Sequence, residues 1–264
     1  AGAPKIPYRV AERSMRRTNP VAEVLLGALD LAAPGTRLTA SAFLDLLAVE
    51  PFRKRFDITA PEVETAREWI QESGIRWAVD ADDRAAHDQP ALAQNTWRFG
   101  LERLALGVTM ADRGDAELFD ADPDRATDPH GLVPFDGLEG GGVVLLGKVM
   151  DAWTTLIDEV SQLRGAKTLG AWLRRVLGDP KAPAGSAAFA GTLGRLTDAS
   201  GASAWLDARV RAALVELQAP AEQSGGTRER TVAAFAHALA GRSPAPSGAT
   251  TAQTGAVPFA ATVP

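Results

Sequence analysis

The chain has 264 residues, 28 Lys and Arg against 33 Asp and Glu, and 45% apolar residues. It contains no cysteine, which excludes disulfide staples, Cys-ligated zinc, iron–sulfur clusters and thiol nucleophiles. The three histidines (His87, His130, His237) form no HxH or HxxxH pair, and apolar runs such as Val143-Val144-Leu145-Leu146 fall far short of the ~20 residues of a membrane span.

The chain opens with Lys5-Ile6-Pro7-Tyr8-Arg9-Val10, a short extended segment in which Pro7 tolerates only an edge position. Asn19-Pro20 starts a helix, with Asn as N-cap and Pro at its first position, and Pro34-Gly35 ends it. A second helix is predicted over about 39–48 with Phe43, Leu44 and Leu47 inward. Thr59-Ala60-Pro61-Glu62 is a capping box, and the helix it opens carries Val63, Ala66, Trp69 and Ile70 on one face before stopping at Gly74. Asn95 is expected to cap a helix with Trp97, Leu101, Leu104 and Ala105 inward.

Residues 111–142 carry two basic and nine acidic groups and no apolar period, so they read as an acidic surface loop. The longest predicted helix follows, about 142–163, with Leu146, Val149, Trp153, Leu156, Val160 and Leu163 at spacings of three and four. Further helices fit 168–177, 186–198, 202–217 and 228–240. The Ser/Pro/Thr/Gly/Ala-rich run 241–255 reads as linker, and 256–264 turns apolar again. Abundant Ala and Leu with a single Tyr favour helix over strand, giving a mainly α chain of about eight or nine helices. The ends leave two readings open: frayed termini, or the two roots of an inserted helical domain.

Several motifs resemble chemistry without completing it. Gly142–Lys148 matches GxxxxGK, but Val149 stands where a phosphate loop needs Ser or Thr, and the four intervening residues are bulky aliphatics. A helix start is expected there, with Val143 to Leu146 seeking burial. Asp120, Asp122 and Asp124 open like a calcium loop, yet Arg125 and Gly131 occupy the positions that need Gly and Glu. GxSxG, HExxH and SxxK are absent from the sequence, and no catalytic residue, metal ligand or cofactor is assigned. Five of the six tryptophans fall on apolar faces (Trp69, Trp97, Trp153, Trp172 and Trp205), where core packing explains them. Trp77, after Gly74-Ile75-Arg76, could stack on a base or a partner, but core packing is the favoured reading there too.

Six segments together resemble the RecC family, the gamma subunits of exodeoxyribonuclease V (the RecBCD complex). They are Ala11–Pro20 (AERSMRRTNP), Gly74–Arg84 (GIRWAVDADDR), Gln94–Gly107 (QNTWRFGLERLALG), Pro134–Lys148 (PFDGLEGGGVVLLGK), and more weakly Thr168–Leu177 and Gly255–Pro264. The opening stretch also resembles the passage into the inserted helical 2B domain of UvrD-like superfamily 1 helicases. The resemblance implies a helical 2B-like body over 14–240 with short extended segments at both termini: a root at 1–13, a linker at 241–255 and a returning segment at 256–264. It implies a non-catalytic, structural and DNA-guiding segment of an ATP-dependent exonuclease and helicase in double-strand break repair and homologous recombination. RecB-like and RecD-like subunits and DNA are the implied partners, and the cytoplasm the implied location. The alternative is a helical protein–protein interaction or regulatory domain without a DNA role.

Two residue groups follow. Arg9, Arg13, Arg16 and Arg17 flank the junction with the motor and are the expected phosphate contacts. Arg76, Trp77, Asn95, Trp97 and Arg98 occupy the most family-specific words and are expected to meet in one structural or partner-contact knot.

Overall fold

The structure is a computed structural model that describes residues 15–110, 134–135, 138, 142–198, 200–217 and 229–241. Among these, twelve α-helices make the chain mainly α. Three of them are short and carry too few apolar positions to show a period: α1 (Met15–Thr18), α4 (Glu50–Arg55) and α6 (Ala81–Ala85). The terminal segments and most of the acidic loop and linker lie outside the described residues.

α2 (Pro20–Ala32) runs through the centre. Asn19 caps it, its Oδ1 accepting from the backbone N–H of Val21 and Ala22 at 3.0 and 3.2 Å. Val21, Val24, Leu25, Leu26, Ala28, Leu29 and Leu31 are buried, and only Glu23 and Asp30, two turns apart on one face, are exposed. A helix apolar around most of its circumference must be covered around most of it. Here α1, α4, α8 (Gly142–Leu163), α10 (Ala187–Leu196), α11 (Ala204–Glu216) and α12 (Val232–Ala240) pack around it. Each large side chain so buried stabilises the fold by roughly 1.5–3 kcal/mol.

α3 (Ala40–Ala48) and α5 (Ala60–Glu72) begin at Thr39 and Thr59, and the Thr59–Glu62 box forms reciprocally. α7 (Trp97–Met110) begins differently from expectation. Thr96 Oγ accepts from Phe99 N–H at 3.3 Å, while Asn95 sits just before it in the left-handed region with φ 64°. Ala105, expected inward, is exposed.

α8 (Gly142–Leu163) is the long helix, and its predicted apolar stripe is buried. Val143 and Val144 are exposed, on the side of the first turn of α8 turned away from the core, whereas Leu145 and Leu146 are buried. α9 (Leu169–Leu177), α10 (Ala187–Leu196), α11 (Ala204–Glu216, after a 3₁₀ turn at Gly201–Ser203) and α12 (Val232–Ala240) complete the body. Two-residue strands β1 (Lys167–Thr168) and β2 (Glu229–Arg230) pair antiparallel and pin α9 to α12. There Trp172 lies parallel to Phe235 with centroids 4.8 Å apart, and its Nε1–H donates to Arg230 C=O at 3.0 Å.

α9 and α10 meet backbone to backbone. A Cβ built on Gly191 would stand 2.3 Å from Gly178 N, and one on Gly178 would stand 2.1 Å from Phe189 O. Gly191 also breaks the helical path, with φ 63° and ψ 176°. Beside this crossing, the fully buried Glu159 of α8 accepts from Arg175 Nη2 at 2.5 Å, from Thr192 Oγ1 at 2.6 Å, and from Arg195 Nη1. One carboxylate therefore holds three helices, and its charge is met by two guanidinium groups.

Candidate functional site

The five residues of the expected knot come together through their backbones. The N–H groups of Arg76 and Trp77 both donate to Asn95 C=O, at 3.0 and 3.3 Å. Trp97 N–H donates to Ala78 C=O and Arg98 N–H to Val79 C=O, each at 2.9 Å. A third strand of backbone joins them: Ala40 N–H donates to Arg76 C=O at 2.8 Å, and Ala78 N–H to Leu38 C=O at 3.1 Å. Gly100 permits the closeness, since a Cβ there would stand 2.1 Å from Ile75 Cγ1.

Side chains leave this knot in opposite directions. Trp97 points inward, stacked on Trp153 and edge-on to Phe43, with its Nε1–H on Leu38 C=O at 3.3 Å. Arg76, Asn95 and Arg98 are exposed, and Arg98 pairs with Asp80 at 3.2 Å. Trp77 is half-buried. Two guanidinium carbons lie over its ring, Arg37 at 4.8 Å and Arg84 at 5.1 Å, and His87 meets it edge-on at 5.9 Å. Arg84 lies inside the family-like word GIRWAVDADDR, but nothing in the sequence marks Arg37, which comes from the turn between α2 and α3.

Of the arginines assigned to phosphate contact, Arg9 and Arg13 lie outside the described residues. Arg16 and Arg17 are exposed on α1. Arg16 pairs with the exposed Asp30 at 2.5 Å and borders an apolar groove formed with Leu26, Leu29, Ala236 and Ala240. Lys54 and Arg55 of the basic run on α4 are exposed but engaged by the protein itself: Lys54 pairs with Glu50 at 2.6 Å and Arg55 Nε donates to Gly194 C=O at 3.3 Å. Lys54 is the main reason the Glu50 carboxyl is held below the usual carboxylate range.

Gly142–Lys148 forms the start of α8 rather than a loop. Its lysine is tied down, with Nζ 2.6 Å from Asp57 C=O and 3.0 Å from the Asp57 carboxylate. No group of three or more His, Asp or Glu with metal-holding geometry occurs among the described residues. No helix among them is long and apolar enough to cross a membrane.

Trp205, expected inward, is 55% exposed on α11, with Arg209 over its ring at 5.3 Å. It begins a stripe of exposed residues, Trp205, Ala208, Ala212 and Val215, at spacings of three and four. The opposite face of α11 carries the buried Val210, Ala213 and Leu214. The helix is thus apolar on both sides but covered on one.

Residues 18–246 match the family described as RecBCD enzyme subunit RecC fourth domain. The chain belongs to the RecC fourth-domain family. The knot words and Thr168–Leu177 lie within the matched stretch, whereas Gly255–Pro264 lies beyond it. The RecBCD enzyme subunit RecC of Mycobacterium tuberculosis (strain H37Rv) is 33% identical over 171 residues, 65% of this chain. That of Mycolicibacterium smegmatis is 34% identical over 171 residues, and that of Escherichia coli K12 is 41% identical over 105, or 40% of this chain. The matched stretch spans 14% of the length of the two mycobacterial relatives and 9% of the Escherichia coli one. In this RecC domain two of the six family-like words, Gly74–Arg84 and Gln94–Gly107, thus form the backbone knot between α3, α5 and α7.

Proposed function

We propose that this RecC domain is a non-catalytic, structural and DNA-guiding segment of an ATP-dependent exonuclease V and helicase complex, acting in double-strand break repair and homologous recombination. RecB-like and RecD-like subunits are its partners. The observation that carries the reading is that α1 and α12, the first and last described helices, pack against each other. A helical body that returns to its starting point suits insertion into a longer chain, as in a helicase 2B domain. The share of its relatives that it spans fits the same picture. On this reading the body covers 14–240 with its acidic loop at 111–142, and the roots are 1–13 and 256–264, joined by the linker 241–255.

The α1 end would then face the motor and its DNA. Arg9, Arg13, Arg16 and Arg17 cluster there in the chain. The Arg16–Asp30 pair is exposed on both sides, and such pairs are worth about 0–1 kcal/mol, so a phosphate can compete for Arg16. Charge reversal at the four arginines in the assembled complex is expected to weaken forked-DNA binding and flatten its dependence on salt, because each lost phosphate contact releases about one counterion fewer. An unchanged salt slope would remove these arginines from the DNA path.

A second reading, protein–protein interaction without a DNA role, is favoured by the uncovered apolar stripe of α11. Trp205→Asp is expected to weaken subunit assembly and leave the salt slope of the remaining complex intact. Loss of assembly together with an unchanged slope in the arginine variants would favour this second reading.

A further inference from the structure

We infer that Lys167 and Arg230, which face each other across the β1–β2 ladder, bind one backbone phosphate of a DNA strand; the site rests on the DNA-guiding reading above and lies on residues that reading did not use. Lys167 and Arg230 are direct partners in the antiparallel register, and the next rung pairs Thr168 with Glu229. Residues directly opposite in such a ladder project from the same face, with Cβ atoms about 4.5–5.5 Å apart, and like charges placed so repel. The ladder consists of these two rungs alone, so half of it carries that repulsion.

Both residues are half-buried. The Lys167 ammonium is held in place: Nζ lies 4.7 Å from the centroid of the Trp172 ring and donates to Arg164 C=O. Burial, and after it the charge of Arg175, holds its pKa below the ordinary lysine value of 10.5. Arg175 itself is engaged by Glu159. The Arg230 backbone is fixed by the same ring, since Trp172 Nε1–H donates to its C=O at 3.0 Å. Its guanidinium has no hydrogen-bond or ion-pair partner among the described residues, and no carboxylate among them pairs with Lys167. The fold thus holds two positive charges together without an anion to offset them. Trp172 beneath them is fully buried against Phe235, so the rung offers charge and N–H donors but no aromatic anchor. Protein partners are gripped through buried aromatic and apolar anchors, where lysine is depleted, whereas phosphates are gripped by Lys and Arg donors. A phosphodiester, one charge spread over two oxygens, therefore suits the rung better than a protein segment does.

The test uses full-length RecC carrying this domain, assembled with its partner subunits and bound to forked DNA. Lys167→Gln with Arg230→Gln is expected to lower the slope of log K against log salt by about 0.7–0.9, the share of one phosphate. Arg230→Lys, which keeps the charge, is expected to keep the parental slope. Without DNA, Arg230→Gln relieves the repulsion across the rung, so RecC carrying it is expected to melt no lower than the parent. A photocrosslinking residue in place of the exposed Ala166 is expected to capture DNA beside Lys167. A parental slope in the double variant overturns the phosphate site. Crosslinks to DNA from elsewhere on the domain then leave the DNA-guiding reading standing, whereas no crosslink from any exposed position overturns both. Loss of assembly with an unchanged slope would show the rung holding an acidic protein segment, and lowered melting with an unchanged slope would show Arg230 propping the ladder; either overturns the phosphate site.

Discussion

The indole of Trp97 lies on that of Trp153, with ring centroids 3.7 Å apart and planes 17° from parallel. Phe43 closes the cluster, edge-on to both rings at 5.1 and 5.6 Å. This contact joins the first turn of α7 to the middle of α8. It sits directly beneath the backbone knot that carries Arg76 and Trp77. The same segment, Asn95–Arg98, therefore supplies a core anchor and the backbone partners of residues 76–79.

Trp97→Ala is expected to destabilise the domain by about 3–5 kcal/mol, since it removes a fully buried ring and its stacking partner. Trp97→Phe should cost less but leave Leu38 C=O without its indole donor. Urea unfolding followed by circular dichroism measures both. A cost below 1 kcal/mol for the alanine variant would show that the cluster collapses to fill the gap.

Glu159→Ala takes from Arg175 and Arg195 the carboxylate they share beside Thr192, leaving Arg195 only the exposed Asp158 at 3.7 Å. Breaking a buried ion network by removing one partner costs about 3–5 kcal/mol. Replacing all three charged residues with methionine should recover much of that loss, because the packing remains and no unpaired charge is buried. Equal stability of the single and triple variants, read from denaturant midpoints, would count against this account.

Gly191→Ala is expected to cost more than about 3 kcal/mol or to prevent folding. The new Cβ would stand 2.3 Å from Gly178 N, and the residue would keep φ at 63°. Gly185→Ala is the control. It also has positive φ, 80°, but nothing lies within 4 Å of its Cβ, so only the backbone cost of about 1–2 kcal/mol applies. Similar thermal midpoints for the two variants would mean that the backbone crossing adjusts.

The capping box predicts a pH dependence. Glu62 accepts from the Thr59 backbone N–H at 2.7 Å, and this bond together with the Thr59 hydroxyl holds its carboxyl below the ordinary value of 4.5. A depressed folded-state pKa contributes stability above the unfolded value, lost as pH falls through the folded one. Glu62→Gln removes that titration while keeping an acceptor. The stability gap between the parent and Glu62→Gln should therefore be constant near neutral pH and shrink below about pH 4.5. Denaturant midpoints across pH 3–7 measure it, and a gap that does not change with pH would assign the depression elsewhere.

The sequence by itself determined what is local along the chain. The caps at Asn19 and Thr59, the stop at Gly74 and the apolar stripe of α8 depend on neighbours within four residues, so spacing alone located those helices. The family-like words around Gly74–Arg84 and Gln94–Gly107 marked the knot, although Asn95 proved to precede the cap rather than form it. The tertiary structure decided what depends on residues far apart in sequence. Trp205 has the same helical spacing as a core tryptophan but nothing packs over it, whereas Trp97 finds Trp153 across more than fifty residues. Arg37 gains its position only because the turn after α2 passes beside Trp77. Glu159 looks like any surface glutamate until α9 and α10 bring Arg175 and Arg195 to it. Helical period and capping are properties of a segment, while cover, charge pairing and close backbone approach belong to pairs of segments, and only the folded chain chooses those pairs.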